Sequence, residues 1–269
     1  MGNYELNEEL AEKVAEFLLK IPDEVWDELF DQLPEFQKMP EEFKNWPFGN
    51  QAVVLMVGAL NDYRINSEKY WEKFYGTFQT QPRSPEDMKK LLEQVFCRNQ
   101  KSKNEKPQKC GRMERFFENE GKKFVGELWE KNETYFKENI GGIWEKLADV
   151  MSQPKEAKTI ILAIKDLVIL LMKRTGDTGI LDSLELPVLV DSRIQKLTKN
   201  LVSCNNDLDV DKVRSFWKDV LDLINKTRAR EGKDNLTMIH LDTLLWFIGG
   251  DCSKLFSLLV RKELKRLDD

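Results

Sequence analysis

Apolar residues recur along this chain at three- and four-residue steps almost from end to end. Asn7 reads as an N-cap, followed by Leu10, Val14, Phe17 and Leu18. A second helix restarts at Pro22-Asp23, carries Trp26, Leu29 and Phe30, and ends at Pro34. Residues 34–50 are broken by prolines and read as loop with one helical turn at most. Residues 51–62 are largely apolar and predict a buried helix. Ser67 caps a segment that places Tyr70, Trp71, Phe74 and Tyr75 on or near one side. Ser84-Pro85-Glu86 opens the next helix with a cap, a proline at the first helical position and an early acid, and that helix runs to about Phe96. Three or four helices are predicted between positions 112 and 151, punctuated at Asn132 and at Gly141-Gly142. Asp209 caps a long helix to about Arg230, another begins at Asn235 or Leu236 and passes through Trp246, and Gly249-Gly250-Asp251 leads into a last helix reaching Leu267. Residues 187–190 are expected to be extended, but no run alternates as a strand does. The class is all-α, with about a dozen helices.

One stretch, residues 154–194, does not fit a plain core helix. Between positions 160 and 172 the only ionisable residues are Lys165 and Asp166. A helix apolar on nearly all sides is normally buried, and lysine is rarely buried without a reason. Lys158 and Lys165 lie about 20° apart on the same helical face, with Leu162 between them. An amine attacks carbon only as the free base, so a nucleophilic lysine needs desolvation or positive charge nearby. Lys158 opens the helix beside Ile161 and Leu162, and Lys165 lies two turns further into the apolar run. Spacing alone does not separate the two. Asp191 follows Val-Leu-Val and precedes Ser-Arg-Ile-Gln-Lys-Leu, which makes it an N-cap. Backbone N–H groups bonded to such a carboxylate hold it still and ionised.

Composition narrows the classes. The 269 residues are 33% charged, as in a charge-rich globular protein. The longest apolar run is too short to span a bilayer, and the first residues lack the basic and apolar parts of a signal peptide, so a cytoplasmic protein with no membrane partner is expected. Cys97, Cys110, Cys204 and Cys252 have no C-x-x-C spacing; they predict no metal site, and they do not define disulfides. His240 is the only histidine, so no histidine triad or multi-histidine metal site can form, and no phosphate-binding glycine loop is present. Net charge is −5, yet residues 1–45 carry thirteen acids and four bases, leaving the rest of the chain at +4. Residues 98–112 hold six bases against one acid and residues 226–233 hold four against one; both are solvated surface or DNA-phosphate contacts.

Further along, Ile-His-Leu-Asp-Thr-Leu-Leu-Trp (239–246) puts Asp242 and Trp246 at i, i+4 on one face. Ala-Lys-Thr-Ile (157–160) with Ala-Ile-Lys (163–165), then Pro-Val-Leu-Val-Asp-Ser-Arg-Ile (187–194), then His-Leu-Asp-Thr-Leu-Leu-Trp occur in an order that resembles the archaeal GO glycosylases. These are 8-oxoguanine DNA glycosylase/lyases of the helix-hairpin-helix superfamily. Leu-Asn-Asp-Tyr (60–63) and the Tyr-Trp that follows extend the resemblance over most of the chain.

The resemblance implies a two-lobed helical fold with the active site in a cleft between lobes. Residues of about 50–140 would form one lobe, and about 1–49 with 141–269 the other, carrying a hairpin at about 141–174. It implies base-excision repair: Lys158 as Schiff-base nucleophile and Asp191 as catalytic carboxylate, with Lys165, Asp242 and Trp246 lining the base pocket, Trp71 stacking and Gln37 reading the base edge. Leu162 stands where an aromatic partner is expected, and Ser-Gln-Pro-Lys-Glu-Ala (152–157) lacks the Gly-rich hairpin common in the superfamily. No cofactor is required, the partner is duplex DNA containing an oxidised guanine, and a monomer located with the chromosome is expected. Two competing readings are a non-catalytic helical DNA- or protein-binding scaffold and a glycosylase for another damaged base.

Overall fold

Fourteen consecutive residues, Phe48–Asn61, are all buried, and the core of the larger of two units is laid down around them. In the computed structural model, residues 6–62, 67–98, 106–182, 184–202 and 206–250 are described, together with Leu259. Thirteen α-helices occur among them: α1 Glu8–Leu18, α2 Asp23–Glu28, α3 Pro34–Gln37, α4 Phe48–Asn61, α5 Ser67–Tyr75, α6 Pro85–Glu93, α7 Lys106–Phe117, α8 Asn119–Trp129, α9 Glu133–Met151, α10 Lys158–Thr175, α11 Ser192–Leu201, α12 Val210–Arg230 and α13 Met238–Gly250. No strand occurs among the described residues. The helix expected to reach Leu267 lies outside them, as do Cys204, Cys252 and Tyr63.

The caps predicted at Asn7, Ser84, Asp191 and Asp209 are local chemistry and form, whereas Ser67 starts α5 and donates its hydroxyl to Asp62 at 3.1 Å. The side chains of Asn7, Ser84, Asn132, Asp191 and Asp209 each accept a backbone N–H of the helix that follows. Two further expectations are corrected. Pro34 does not simply end a helix: it starts α3, where its missing N–H costs nothing. Gly141-Gly142 does not break α9, which runs unbroken for 19 residues because Phe136, Ile140, Ile143, Trp144 and Leu147 bury one face throughout.

The chain divides into a unit of residues 34–184 and a unit of residues 1–33 with 185–269. Residues 34–49 and 141–184 therefore belong with 50–140, because α10, the most apolar long helix, packs along α4 and against α9. Gly49 allows α4 to meet the end of α8 backbone to backbone: its N–H donates to the Lys131 carbonyl at 3.0 Å, and a Cβ there would lie 2.1 Å from the Leu128 carbonyl oxygen. Asn50 adds a hydrogen bond to the Trp129 carbonyl at 2.8 Å. Cys97 and Cys110 form a disulfide (S–S 2.06 Å), which closes the ends of the basic segment and which cysteine spacing did not reveal. Glu114 lies close to the pair, but both sulfurs are engaged with each other.

In the other unit, α1 packs on α12 and α11 on α13. Arg228 pairs with Asp23 and donates to the Asp234 carbonyl at 2.7 Å. His240 is structural: it packs on Phe30 at 5.0 Å, and its Nδ1 accepts the Thr237 N–H at 3.1 Å. Burial, reinforced by the charge of Arg228, lowers its pKa to about 4.

Gly49→Ala is expected to destabilise the chain by about 2 kcal/mol or more, since backbone rather than a movable side chain must give way. A denaturant midpoint unchanged from the parent would show that the α4–α8 contact relaxes freely.

Candidate active site

The unit of residues 34–184 carries both lysines. α9, the connection at residues 152–157 and α10 form a helical hairpin, although the connection has no glycine. Ser152 takes the left-handed turn instead (φ 51°), and the connection is tied down by the Ala157 N–H to the Pro154 carbonyl (2.9 Å) and by Trp144 Nε1 to the Lys155 carbonyl (2.9 Å). Arg115 holds the Met151 carbonyl at 3.2 Å. A rigid turn thus delivers Lys158 to the first position of α10, where no side chain caps the helix and no acid stands in the first turn. Lys158 is exposed, Leu162 half-buried and Lys165 only 4% exposed, so one helical face runs from solvent into the core over about two turns.

α3 brings Gln37 to the surface of the same unit, and the Tyr75 hydroxyl donates to the Glu35 carbonyl two residues earlier at 2.9 Å. Trp71 lies in the core of this unit. It is fully buried, its Nε1 donates to Asp62 at 2.9 Å, and Tyr70, Phe74 and Tyr75 surround its ring. Gly58 makes room for that ring, since a Cβ there would lie 2.4 Å from it. Trp71 is thus packed into an aromatic cluster of the core.

The other unit assembles Asp191, Asp242 and Trp246. Asp191 Oδ1 accepts the N–H groups of Arg193 (2.8 Å) and Ile194 (3.0 Å), and Oδ2 lies 3.9 Å from Arg193 Nε. Asp242, 5% exposed, accepts the Leu189 N–H at 2.7 Å, which anchors the extended residues before the cap to α13. One turn on, half-buried Trp246 lies under the Arg193 guanidinium at 4.6 Å. The cap, its anchor and the ring thus form one connected group. Arg193 joins it as a member that sequence reasoning passed over, although it stands in the quoted Asp-Ser-Arg-Ile motif.

Some described cations of the basic segments are engaged within the protein. Lys109 is 2% exposed and sits over the Tyr70 ring at 5.5 Å, and Arg112 donates to the Leu60 carbonyl at 2.8 Å. In residues 226–233, Arg228 is committed to Asp23, and Lys233 pairs with Glu231 at 2.9 Å. Lys109, Arg112 and Arg228 are thus tied within the protein, whereas the ion pair of Lys233 lies at the surface.

A family model described as AGOG, N-glycosylase/DNA lyase, matches residues 15–267. The chain belongs to the AGOG family of N-glycosylase/DNA lyases. A curated N-glycosylase/DNA lyase of Methanopyrus kandleri is 25% identical over 196 residues, covering 72% of this chain and 70% of its own length. The crystal structure of the Pyrobaculum aerophilum AGOG, an 8-oxoguanine DNA glycosylase complexed with 8-oxoguanosine, superposes with a TM-score of 0.60 at 22% identity. That alignment covers 90% of this chain and 88% of that one, so this AGOG chain shares its fold nearly throughout. As an AGOG protein it is a DNA glycosylase and lyase, which excludes the scaffold reading. No helix among the described residues is long and apolar enough to cross a membrane.

Proposed function

We infer that this chain excises 8-oxoguanine from duplex DNA and nicks the strand, with Lys158 as nucleophile and Asp191 as catalytic carboxylate. The observation that carries the assignment is the setting of Lys158: an accessible amine on the uncapped first turn of α10, where the N-terminal N–H groups supply positive potential and no acid offsets it, aligned with Leu162 and the buried Lys165. The substrate class is supported by family membership and by the 8-oxoguanosine named for the Pyrobaculum aerophilum relative.

The target nucleotide must leave the stack before an amine reaches its sugar, at a cost of a few kcal/mol. The Lys158 Nζ lone pair then forms a bond to C1′ while the C1′–N9 bond breaks, and its electrons leave with the purine, which takes up a proton. Positive charge develops on the sugar during this step. Asp191 suits it: Oδ1 is fixed by two N–H groups, so the carboxylate stabilises charge without reorganising. Opening of the sugar ring gives an imine on Lys158. Loss of a C2′ proton then expels the 3′ phosphate and cuts the strand, and water releases the lysine. Gln37 reads the base edge, Lys165, Asp242 and Trp246 line the base, and Leu162 supplies an aliphatic wall. Trp71 supports the pocket from within its aromatic cluster. The protein acts as a monomer on the chromosome.

Lys158→Gln is expected to abolish the borohydride-trapped covalent adduct and to slow strand cleavage by at least about a hundredfold. Trapping equal to the parent would move the nucleophile to Lys165. Asp191→Asn keeps an equally good cap, so it is expected to lose excision while binding duplex DNA as the parent does. Equal loss of excision and binding would reduce Asp191 to a structural cap.

A further inference from the structure

Three charged side chains are buried together beneath the lysine face of α10. Lys165 and Glu35 are each 4% exposed, and Asp166 is fully buried. No N–H or O–H donor among the described residues reaches either Asp166 oxygen, yet the Glu35 carboxyl lies within hydrogen-bonding reach of it. Two carboxylates cannot bond to each other unless one carries a proton, and buried carboxyls this close do not both ionise. Burial pushes both up: Glu35 rises against the opposing charge of Lys165, and Asp166 rises well above the usual carboxylate range, helped by the charge of Glu35. The other groups facing the pair are Asp62, which follows α4, and the Tyr75 hydroxyl of α5. With one shared proton the pair carries one negative charge against the one positive charge of Lys165. Without it, an excess negative charge is buried, which is costly.

The pair also spans two elements that the base pocket needs. α3 is four residues long, too short to hold its conformation alone, and it carries Gln37. α10 carries Lys165, next to Asp166. Resting on the functional reading above, we propose that Glu35 and Asp166 are positioning residues: a proton shared between their carboxyls fastens α3 to α10 and sets Gln37 and Lys165 in register for the damaged base. Both carboxyls are buried away from the exposed Lys158 amine, so the pair serves base removal and not strand cleavage. A glutamine or asparagine at one position replaces the shared proton with an amide N–H, which keeps both the bond and the single negative charge. Alanine keeps neither.

The test compares two reactions of the full-length chain, single-turnover excision of 8-oxoguanine from a duplex and cleavage at a preformed abasic site, between about pH 6 and pH 10. Glu35→Ala and Asp166→Ala are expected to slow excision by about tenfold or more and to leave abasic-site cleavage within about twofold. Glu35→Gln and Asp166→Asn should recover most of the lost rate. Because both carboxyls are raised, the shared proton is held to higher pH than an ordinary carboxylic acid holds its own, and is lost as pH rises through the titration of the pair. Parent excision should therefore fall on the alkaline side, and the Glu35→Gln profile should lack that fall. Equal slowing of both reactions, alanine and amide variants that behave alike, or an unchanged alkaline limb in Glu35→Gln would each overturn the proposal. If the alanine variants do not fold, the pH profiles of the amide variants decide it. A parent chain inactive on both substrates would overturn the functional reading itself and this proposal with it, whereas an active parent with insensitive variants overturns the pair alone.

Discussion

The architecture depends on keeping α10 buried while it carries charge. Eleven of its eighteen residues are buried, and two of those are Lys165 and Asp166. An isolated ion in such a place is prohibitively desolvated, so the surroundings must supply opposite charge and a shared proton. α3 provides Glu35 for that purpose, and α5 steadies α3 through the Tyr75 hydroxyl. Much of the unit of residues 34–184 is explained by this need: the apolar α4 lies along α10, the aromatic cluster closes over Gly58, and the rigid hairpin leaves Lys158 in solvent at the open end.

The unit of residues 1–33 and 185–269 handles a carboxylate by the opposite route. Asp191 stays partly exposed: two backbone N–H groups hold one oxygen, while Arg193 neighbours the other. Asp242 is spent on backbone, anchoring Leu189, so the extended residues enter α11 along a fixed path. One acid caps α11 and the other anchors the residues that lead into it. That division follows from which N–H groups each can reach.

What was legible in the sequence was local. The cap at Asp191, the start of α10 at Lys158 and the shared face of Lys158 and Lys165 follow from helical geometry and capping chemistry within a few residues. The all-helical class followed from periodicity in the same way, and the ordered motifs carried the family. What was not legible was tertiary. Trp71 looks the same in sequence whether it faces a ligand or Gly58, and Gly141-Gly142 reads as a break until the buried face of α9 is seen to continue through it. Arg228, Lys109 and Arg112 counted as surface charge because their partners, Asp23, Tyr70 and the Leu60 carbonyl, lie far away in the chain. Asp166 could be flagged as an acid in an apolar helix, but nothing local pointed to Glu35 as its partner.

Burial separates the two lysines of α10 into different tasks, the exposed one for covalent chemistry and the compensated one for the base. Peptide mapping by mass spectrometry of the borohydride-reduced adduct, formed by the unsubstituted chain on 8-oxoguanine DNA, tests this division most directly. The sugar-derived mass is expected on Lys158 alone. An adduct on Lys165 would contradict it.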